Sequence, residues 1–413
     1  MDGFRVLYID MNSFFASVEQ HLDPSLRGRP VGISALDSDS GSCVAASYEA
    51  KAFGVKTGTS VRDARRLCPG IVILPSRHRL YVRYNLKIAA ILDTMAELER
   101  IRSVDEFQIR LGGPTGELAG AEDLVRRMKD AVATRIGPAI RFSAGIGPNH
   151  LLAKIAGKLE KPDGCQWLGP RNMPGRLGHL KLEDLPGISS GILSRLQRAG
   201  IHDIPSLWRL DPRHARMIWN SVEGERFVRG LQGENIPLPG TTKGGYGNSK
   251  VLSPENRRPE QARLVGRWLV QKSAARLRRD GRVCARFSLQ VTTGGIRPWD
   301  PARHWGAGMK CRPSQDSLFF LEQFGTLWDR FLREARPGTI LSLGVQLGSV
   351  SLLAERTGDL FAVDPADQGP QKPGRASSRE KAAQVADLIN RRFGAETIRY
   401  GEDRPHPGFF ERG

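Results

Sequence analysis

Three carboxylates, far apart along the chain, have the residue types and positions for metal-dependent chemistry. Asp10 follows the apolar run "VLYI", and the pair Asp105 and Glu106 lies in "SVDEF", about a hundred residues later. Carboxylates that share a site repel one another and raise each other's pKa values, which bound divalent cations relieve. Hard oxygen ligands suit Mg²⁺ or Mn²⁺. Two such ions can activate an attacking hydroxyl and stabilise a leaving oxygen in phosphoryl transfer.

Each carboxylate also has a purely structural interpretation. Asp10 could cap the helix that follows, although Asn12 and Ser13 could do so equally well. The "SVDE" segment could be an exposed turn, which is the usual setting of an Asp-Glu pair. The metal hypothesis is therefore preferred only if the fold brings the two segments together.

The order of the predicted elements does bring them together. With residues 12–75 set aside as an insertion, the first 150 residues show the pattern β-α-β-β-α-β, with strands near 5–10, 101–104, 107–111 and 140–147 and a long helix at 80–99. This is the ferredoxin-like arrangement. Its first and third strands are antiparallel neighbours, and its second strand lies beyond the third. Asp10 is therefore expected beside the acidic pair.

A second β-α-β-β-α-β pattern is predicted over residues 243–350, without an acidic pair at its hairpin. From Lys243 to Arg312 there are sixteen Lys or Arg and four Asp or Glu. This half is interpreted as a binding surface. Between the two patterns, 182–201 has the spacing of a helix-hairpin-helix, whose free backbone N–H groups can hold a phosphate oxygen. An ordinary αα-hairpin is the alternative.

The bulk composition favours a polyanionic partner. The 413 residues carry 62 Lys or Arg against 44 Asp or Glu, a net charge of +18, and the isoelectric point is near 10.1. Nucleic acid is the leading interpretation. The five cysteines form no CxxC pair, which disfavours a zinc site or a disulfide framework. Without a leader-like start or a long apolar run, we expect a soluble cytoplasmic protein.

Five motifs in fixed order resemble the Y-family of translesion DNA polymerases, with the bacterial DNA polymerase IV type as the nearest relatives. They are "YIDMNSFFASVE", "AASYEAKAFGVKTG", "RSVDE", "SAGIGPNHLLAKIAGKLEKPDG" and "DLPGI". The resemblance implies an α+β multidomain fold with a ferredoxin-like palm, inserted fingers, a helix-hairpin-helix thumb and a βαββαβ little finger. The expected ranges are a palm at 1–11 and 76–178, fingers at 12–75, a thumb at 179–238, a linker at 239–249, a little finger at 250–352 and a flexible tail at 353–413. Within the tail, the sequence also predicts a short helix at 379–394.

The same resemblance implies the roles of the site residues. Asp10, Asp105 and Glu106, with the backbone carbonyl of Met11, would hold two Mg²⁺ ions, for which Mn²⁺ can substitute. A primer 3′-hydroxyl would then attack the α-phosphate of a dNTP. Phe15 matches the steric gate, whose ring fills the space that a ribose 2′-hydroxyl needs. The expected nucleotide contacts are Phe14, Phe15, Tyr48, Lys51 and Lys161; core packing is the alternative role, and it suits Phe14 better than Phe15.

The expected partners are primer–template DNA, a dNTP and a sliding clamp, with a monomeric chain and no membrane. The DNA contacts are assigned to Gly187, Ser189, Lys250, Arg286 and Arg297. Two segments are candidates for clamp attachment, "QDSLFF" at 315–320 and "GDLFAVD" at 358–364. In the first, a stripe at helical spacing (Leu318, Leu321, Phe324, Trp328 and Phe331) favours a core helix instead.

The sequence departs from the family pattern at three places. Lys51 stands where Arg is usual, Ala45 where Thr is often found, and "FQIR" at 107–110 where the family has Ala-Tyr-Leu-Asp. These changes bear on nucleotide affinity and fidelity and leave the metal ligands intact. Two rival functions follow: a non-catalytic DNA-binding accessory relative, and a nucleotide cyclase on the same palm fold. The helix-hairpin-helix and the basic second half disfavour the cyclase.

Overall fold

The computed structural model describes residues 3–35, 39, 41–237, 243–294, 301–356, 376–394 and 397–405. The chain divides into two compact units, Met1–Pro239 and Gly240–Gly408. The strands are β1 (Val6–Met11), β2 (Val31–Ser34), β3 (Cys43–Ala46), β4 (Val72–Pro75), β5 (Leu98–Ile101), β6 (Glu106–Arg110), β7 (Phe142–Gly147), β8 (Cys165–Trp167), β9 (Gly245–Val251), β10 (Arg282–Thr293), β11 (Arg303–Ser314) and β12 (Ile340–Leu352).

The helices follow the same numbering in chain order. They are α1 (Phe14–Leu22), α2 (Tyr48–Ala52), α3 (Val61–Leu67), α4 (His78–Asp93), α5 (Leu118–Arg135), α6 (His150–Leu159), α7 (Ser190–Arg198), α8 (Ile204–Arg209), α9 (Pro212–Trp219), α10 (Val222–Leu231), α11 (Pro259–Arg279), α12 (Ser317–Ala335) and α13 (Ser378–Phe393). Among the described helices, none is both long enough and apolar enough to cross a membrane.

A five-stranded sheet in the order β5-β6-β1-β7-β8 forms the centre of the first unit. β1 lies between β6 and β7 and is antiparallel to both. β5 lies beyond β6, and β8 extends the sheet in parallel with β7. This confirms the strand order expected from the ferredoxin-like pattern, with β8 as an added edge strand.

The helix before β5 is shorter than the apolar periodicity predicted. We expected a helix over 80–99, but α4 ends at Asp93, where the Thr94 hydroxyl donates to the Ile91 carbonyl. β5 begins at Leu98 because that residue pairs with Ile109 of β6. Leu98 therefore belongs to the sheet, although the helical pattern alone would include it in the helix.

A small three-stranded sheet, β3-β2-β4, lies within the 12–75 insertion. α1, which also belongs to that range, does not stay with the small sheet alone. Its Phe14, Ala16 and Val18 are buried in the same core as Leu7 and Phe107 of the large sheet. α1 therefore joins the insertion to the rest of the unit and carries its first residues close to the end of β1.

The helical part of the first unit contains α7 to α10, which share a core with Leu152 and Ile155 of α6. The predicted helix-hairpin-helix is only half helical at 182–201. Its first element is a single 3₁₀ turn at Leu182–Asp184, and its second is α7. Gly187 between them has φ of +103°, a left-handed value that glycine adopts without strain. Ser189 then caps α7 by accepting from the Ile192 N–H.

The second unit has the expected element order β-α-β-β-α-β but a different strand order from the first. Its sheet runs β11-β10-β12-β9, so the last strand lies between the first and the second. α11 and α12 cover one face, and their apolar side chains form a single core with those of β10 and β12. The predicted linker at 239–249 is wrong in part, because residues from Gly245 onward already pair with β12.

The predicted flexible tail, 353–413, is also wrong for much of its described length. α13 packs Ala383 and Ala386 into the second unit. The buried Arg278 of α11 donates to both carboxylate oxygens of Asp387 on α13, at 2.7 and 2.8 Å. Arg356 and Glu380 form a second buried ion pair, at 2.9 Å. Apolar packing and these charge pairs, with a further one between Arg379 and Asp316 at 3.0 Å, thus hold the helix in place.

Candidate active site

The three carboxylates meet at one end of the central sheet, as the strand order predicts. Asp10 on β1 lies directly opposite Glu106 on β6 in the antiparallel register. The Met11 N–H donates to the Asp105 carbonyl at 2.9 Å. Helix α1 is capped at Ser13, with no side-chain hydrogen bond to its first turn. Because the N-cap position is Ser13, Asp10 does not have the capping role considered for it.

Each carboxylate has a polar partner of its own. The Lys161 ammonium lies 2.5 Å from Asp10 Oδ1, and the Lys154 ammonium lies 2.8 Å from Glu106 Oε1. The Ser103 hydroxyl donates to Asp105 Oδ1 at 2.5 Å. Two lysines from one side and two strands from the other therefore enclose the acidic end of β1.

The neighbourhood shifts the two neighbouring carboxyl groups in opposite directions. Burial raises the pKa of Asp105, and the negative charges of Asp10 and Glu106 raise it further, while the Ser103 hydrogen bond opposes them. Burial also acts to raise the pKa of Glu106, but the hydrogen bond and charge of Lys154, together with hydrogen bonds from Tyr8 and Ser103, outweigh it, so this pKa is lowered. Mutual repulsion at Asp105 is the feature that a bound cation would relieve.

The donor set fits a hard divalent cation, although the side chains face lysines. Within the described residues, no group of three or more His, Cys, Asp or Glu side chains has the spacing of a metal site. Asp10 and Glu106 instead direct one oxygen each to an ammonium group. Carboxylate oxygens are the ligands that Mg²⁺ prefers, so the residues present fit such an ion once these side chains turn from their lysine partners.

Helix α6 places two lysines near the carboxylates, and the sequence analysis did not select either of them. Lys154 and Lys158 are four residues apart and so share one face of α6. The pKa of Lys158 is lowered, by burial first and then by the charges of Lys154 and Lys161. The sequence "AKIAGKLEK" contains Lys154, Lys158 and Lys161, but the family resemblance pointed only to Lys161.

The approach of α6 to the sheet depends on glycine. A Cβ on Gly145 of β7 would lie 2.0 Å from the Ala153 carbonyl oxygen and 2.2 Å from the Gly157 nitrogen. No side chain fits at that position. The backbone of α6 therefore packs directly on β7, which brings Lys154 within reach of Glu106.

A half-buried histidine, His150, packs against Tyr8 of β1. The His150 ring packs edge-on against Tyr8, with ring centroids 5.1 Å apart. Its Nε2 lies 3.3 Å from an Arg102 guanidinium nitrogen. Burial, followed by the charges of Arg102 and Lys154, lowers the pKa of His150 to about 4. The ring is therefore neutral near pH 7 and can accept a hydrogen bond from Arg102.

The predicted triphosphate residues lie together beside Asp10. The Lys51 ammonium donates to the Ser13 hydroxyl at 2.8 Å and lies 4.2 Å from the centroid of the Tyr48 ring. Burial, then the charge of Lys161, lowers the pKa of Lys51, whereas Asp10 opposes the shift. Burial and the charge of Asp10 raise the pKa of Tyr48 to about 12. Lys51, Lys161 and Tyr48 therefore lie close enough to Asp10 to interact with its charge.

The two adjacent phenylalanines have different environments. Phe14 is 3% exposed and lies in the core of the first unit. It has almost no surface for a nucleotide, so the structure favours its alternative role in packing. Phe15 is half-buried at the edge of that core, with its ring stacked on Tyr81 at a centroid distance of 4.1 Å. Phe15 therefore remains the candidate gate.

The predicted DNA contacts differ in exposure. Gly187 and Ser189 are exposed at the turn before α7, and Arg286 is exposed on β10. Lys250 is only 9% exposed, with its ammonium 5.9 Å from the centroid of the Trp268 ring, so its position disfavours a direct phosphate contact. Arg297 lies outside the described residues.

Of the two segments proposed for clamp attachment, the structure describes only the first. In "QDSLFF", Gln315, Ser317 and Phe320 are fully buried, which supports the core-helix interpretation. Leu318, expected in the apolar stripe, is 40% exposed, whereas the other four members of the stripe are buried. The segment "GDLFAVD" at 358–364 lies outside the described residues.

Comparisons with known proteins agree with one another. A family model described as the impB/mucB/samB family matches residues 9–158. DNA polymerase IV of Moorella thermoacetica is 30% identical over 404 residues, which cover 95% of this chain and 94% of that protein. DNA polymerase IV 2 of Mesorhizobium japonicum is 28% identical over 402 residues, covering 96% and 93%.

Solved structures share the fold at lower identity. A Y-family DNA polymerase chimera superimposes with a TM-score of 0.69 at 21% identity, covering 84% of this chain and 99% of that chain. An insertion ternary complex of Dbh DNA polymerase has a TM-score of 0.55 at 22% identity and the same coverage. With Asp10 at the end of β1 beside Asp105 and Glu106, and with the near full-length match to DNA polymerase IV, this chain belongs to the Y-family of DNA polymerases.

Proposed function

We propose that this chain is a template-directed DNA polymerase that adds dNTPs to a primer 3′-hydroxyl and copies damaged templates with low fidelity. The observation that carries the proposal is the register of β1 and β6, which sets Asp10 opposite Glu106 beside Asp105. The similarity to proteins named DNA polymerase IV supports the same activity.

Asp10, Asp105 and Glu106, with the Met11 carbonyl, would hold two Mg²⁺ ions, for which Mn²⁺ can substitute. When bound, these ions supply activation of the primer hydroxyl and charge stabilisation for the leaving pyrophosphate. The chain's own contribution is position. The two strands hold the carboxylates in register, and the Ser103 hydroxyl orients Asp105.

Lys51, Tyr48 and Lys161 would receive the triphosphate. The two ammonium groups are point charges for phosphate oxygens, and each lowers the energy of an anion placed between them. Lys161 contacts Asp10 at 2.5 Å, so the same side chain can pass from the carboxylate to a phosphate as the nucleotide binds. Phe15 would then exclude a ribose 2′-hydroxyl.

The remaining assignments belong to the same proposal. Palm, fingers and thumb correspond to the large sheet, the small sheet and α7–α10 of the first unit, and the little finger to the second unit. The turn at Gly187 and the exposed Arg286 would hold DNA phosphates, which gives affinity without sequence selection. Attachment to a sliding clamp, a monomeric state and a cytoplasmic location complete the proposal.

Primer extension on an undamaged template tests the proposed activity. Purified full-length protein with Mg²⁺ and all four dNTPs is compared with the double variant Asp105→Ala/Glu106→Ala. We expect extension by the wild type and none by the variant, with primer–template binding retained in both. DNA binding without nucleotide addition by the wild type, in Mg²⁺ and in Mn²⁺, would instead identify a non-catalytic accessory relative.

A further inference from the structure

A buried carboxylate stands behind the Phe15 ring, and none of the roles assigned above uses it. Glu19 on α1 is 3% exposed. The Arg77 guanidinium donates to both of its oxygens, with Arg77 Nε 3.0 Å from Oε1. The Tyr81 hydroxyl donates to the same Oε1 at 2.8 Å. An ionised group at this depth is costly unless it is paired and hydrogen-bonded, and here it is both.

Tyr81 connects this carboxylate to the gate. Its side chain is fully buried, and its ring stacks on Phe15 with centroids 4.1 Å apart and planes 14° apart. The His78 ring meets Phe15 edge-on, with centroids 5.5 Å apart and planes at 87°. Phe15 is therefore held on its face by one ring and at its edge by another.

The spacing of these residues makes the contact a feature of two helices. Phe15 and Glu19 are four residues apart and share one face of α1. Arg77 and Tyr81 are also four residues apart, at the start of α4. The Glu19 carboxylate thus joins the first turn of α4 to the helix that carries the gate.

We infer that Glu19 is a positioning residue for sugar discrimination, acting through Tyr81 on Phe15. By fixing the Tyr81 hydroxyl, the carboxylate sets the plane of the ring on which Phe15 stacks. A gate works only if its ring cannot yield when a 2′-hydroxyl arrives, because a displacement of about 1 Å at a reacting centre can cost a hundredfold. The inference rests on the proposed role of Phe15 as the steric gate.

The alternative is that Glu19 and Tyr81 only stabilise the core. That role predicts lower thermal stability with an unchanged preference for deoxyribose. The deciding quantity is therefore the ratio of kcat/KM for dCTP to kcat/KM for CTP opposite template dG, measured beside the melting temperature of each variant.

Tyr81→Phe is the sharpest variant, because it keeps the stacked ring and removes only the donor to Glu19. Glu19→Ala removes the acceptor, and Glu19→Gln retains an oxygen that can accept. Tyr84→Phe is the matched control, since Tyr84 is a buried tyrosine on the same helix that packs edge-on against His21. We expect the dCTP preference to fall about fivefold in Tyr81→Phe and about tenfold in Glu19→Ala. Glu19→Gln should recover part of it, and Tyr84→Phe should match the wild type.

The Phe15→Ala background separates the inference from the proposed function. If Phe15 is the gate, Phe15→Ala accepts CTP, and adding Tyr81→Phe changes its sugar preference no further. If Phe15→Ala keeps the wild-type preference, the gate and the inference both fail. If Phe15→Ala accepts CTP while Tyr81→Phe keeps the wild-type ratio, the gate stands and the inference alone is overturned. Should Glu19→Ala fail to fold, Tyr81→Phe decides the matter by itself.

Discussion

At this site, each carboxylate is paired with a lysine or a hydroxyl group. Asp10 and Glu106 each contact one lysine, and Asp105 contacts a serine instead. Lys51 of α2 completes the set, which then has three carboxylates and three lysines. A triphosphate with its cations can enter such a site by exchanging partners, without leaving a buried charge unpaired.

Replacing Lys51 by Ala should weaken nucleotide binding. The change removes a point charge beside Tyr48 and leaves the carboxylates in place, so we expect the KM for dNTP to rise about tenfold with a smaller effect on kcat. Steady-state single-nucleotide incorporation measures both constants. Lys56→Ala, an exposed lysine of the same small region, is the control, and equal KM values for the two variants would remove Lys51 from the triphosphate site.

The sequence predicts the residues of the site unevenly. Asp10, Asp105 and Glu106 could be brought together from strand order alone, because antiparallel pairing leaves few alternatives. Lys154 and Ser103 could not be selected in this way, since a lysine on a helix or a serine before an acid is usually exposed. Their roles depend on how close α6 lies to the sheet, which is a matter of backbone contact.

At the scale of elements, that backbone contact decides where α6 lies. Gly145 and Gly157 face each other across β7 and α6, with no room for a Cβ on Gly145. Because α6 packs this closely on β7, the Lys154 ammonium can contact Glu106. The Ala153 backbone occupies the space that a side chain at Gly145 would need.

Gly145→Ala should push α6 away from the sheet. The added methyl group overlaps backbone atoms that cannot move independently, so we expect a loss of about 3 kcal/mol in the free energy of unfolding, the upper end of the usual overpacking range. Extension activity should fall with it. Urea unfolding measures the loss, and Gly191→Ala in α7, whose Cβ would meet only open space and the Ser189 hydroxyl at 4.0 Å, should be neutral or slightly stabilising. Equal stability of the two variants would contradict the packing account.

Element order was easier to predict than element length or sheet order. The periodicity identified both β-α-β-β-α-β patterns, yet it extended α4 into β5 because Met95 and Leu98 continue the apolar spacing. In the second unit, the same element order produces the strand order β11-β10-β12-β9. Nothing in the alternation of apolar residues distinguishes that order from the ferredoxin-like one, because both bury one face of the sheet.

At the scale of the whole molecule, the acidic site and the basic β-sheet domain belong to different units. The first unit contains the three carboxylates. The second unit is a basic domain in which α13 packs against the rest through Ala383 and Ala386. A Pro- and Gly-rich composition suggested a loose tail after residue 353, but composition does not register single long-range pairs such as Arg278 with Asp387.

Asp387→Ala should therefore destabilise the second unit. It removes the carboxylate that accepts two hydrogen bonds from the buried Arg278, and breaking one half of a buried ion pair costs about 3–5 kcal/mol. Denaturant unfolding of the full chain, followed by tryptophan fluorescence, measures the change. Asp329→Ala on the exposed face of α12 is the control. A loss below about 1 kcal/mol would mean that the Arg278–Asp387 pair does not hold α13 in place.

Arg286→Ala should change the salt dependence of DNA affinity. If this exposed arginine contacts one phosphate, its loss weakens binding to all sequences equally and reduces the slope of log K against log salt by about 1. Fluorescence anisotropy from 50 to 300 mM salt gives the slope. Arg330→Ala, whose guanidinium already pairs with Glu334 at 2.7 Å, should leave it unchanged, and an unaltered slope in Arg286→Ala would exclude that residue from the interface.

The central claim is that the carboxylates at the end of β1 drive nucleotidyl transfer, and the Asp10→Asn variant tests it most directly. Asparagine keeps the shape of the side chain and removes its charge, so DNA affinity and melting temperature should stay near the wild-type values. We measure single-turnover incorporation of one dNTP as a function of Mg²⁺ concentration, with the wild type and Asp10→Asn at equal occupancy of primer–template. The account predicts a rate at least about a thousandfold lower in the variant, corresponding to some 4 kcal/mol of lost transition-state stabilisation. A variant that incorporates within about tenfold of the wild-type rate would contradict it.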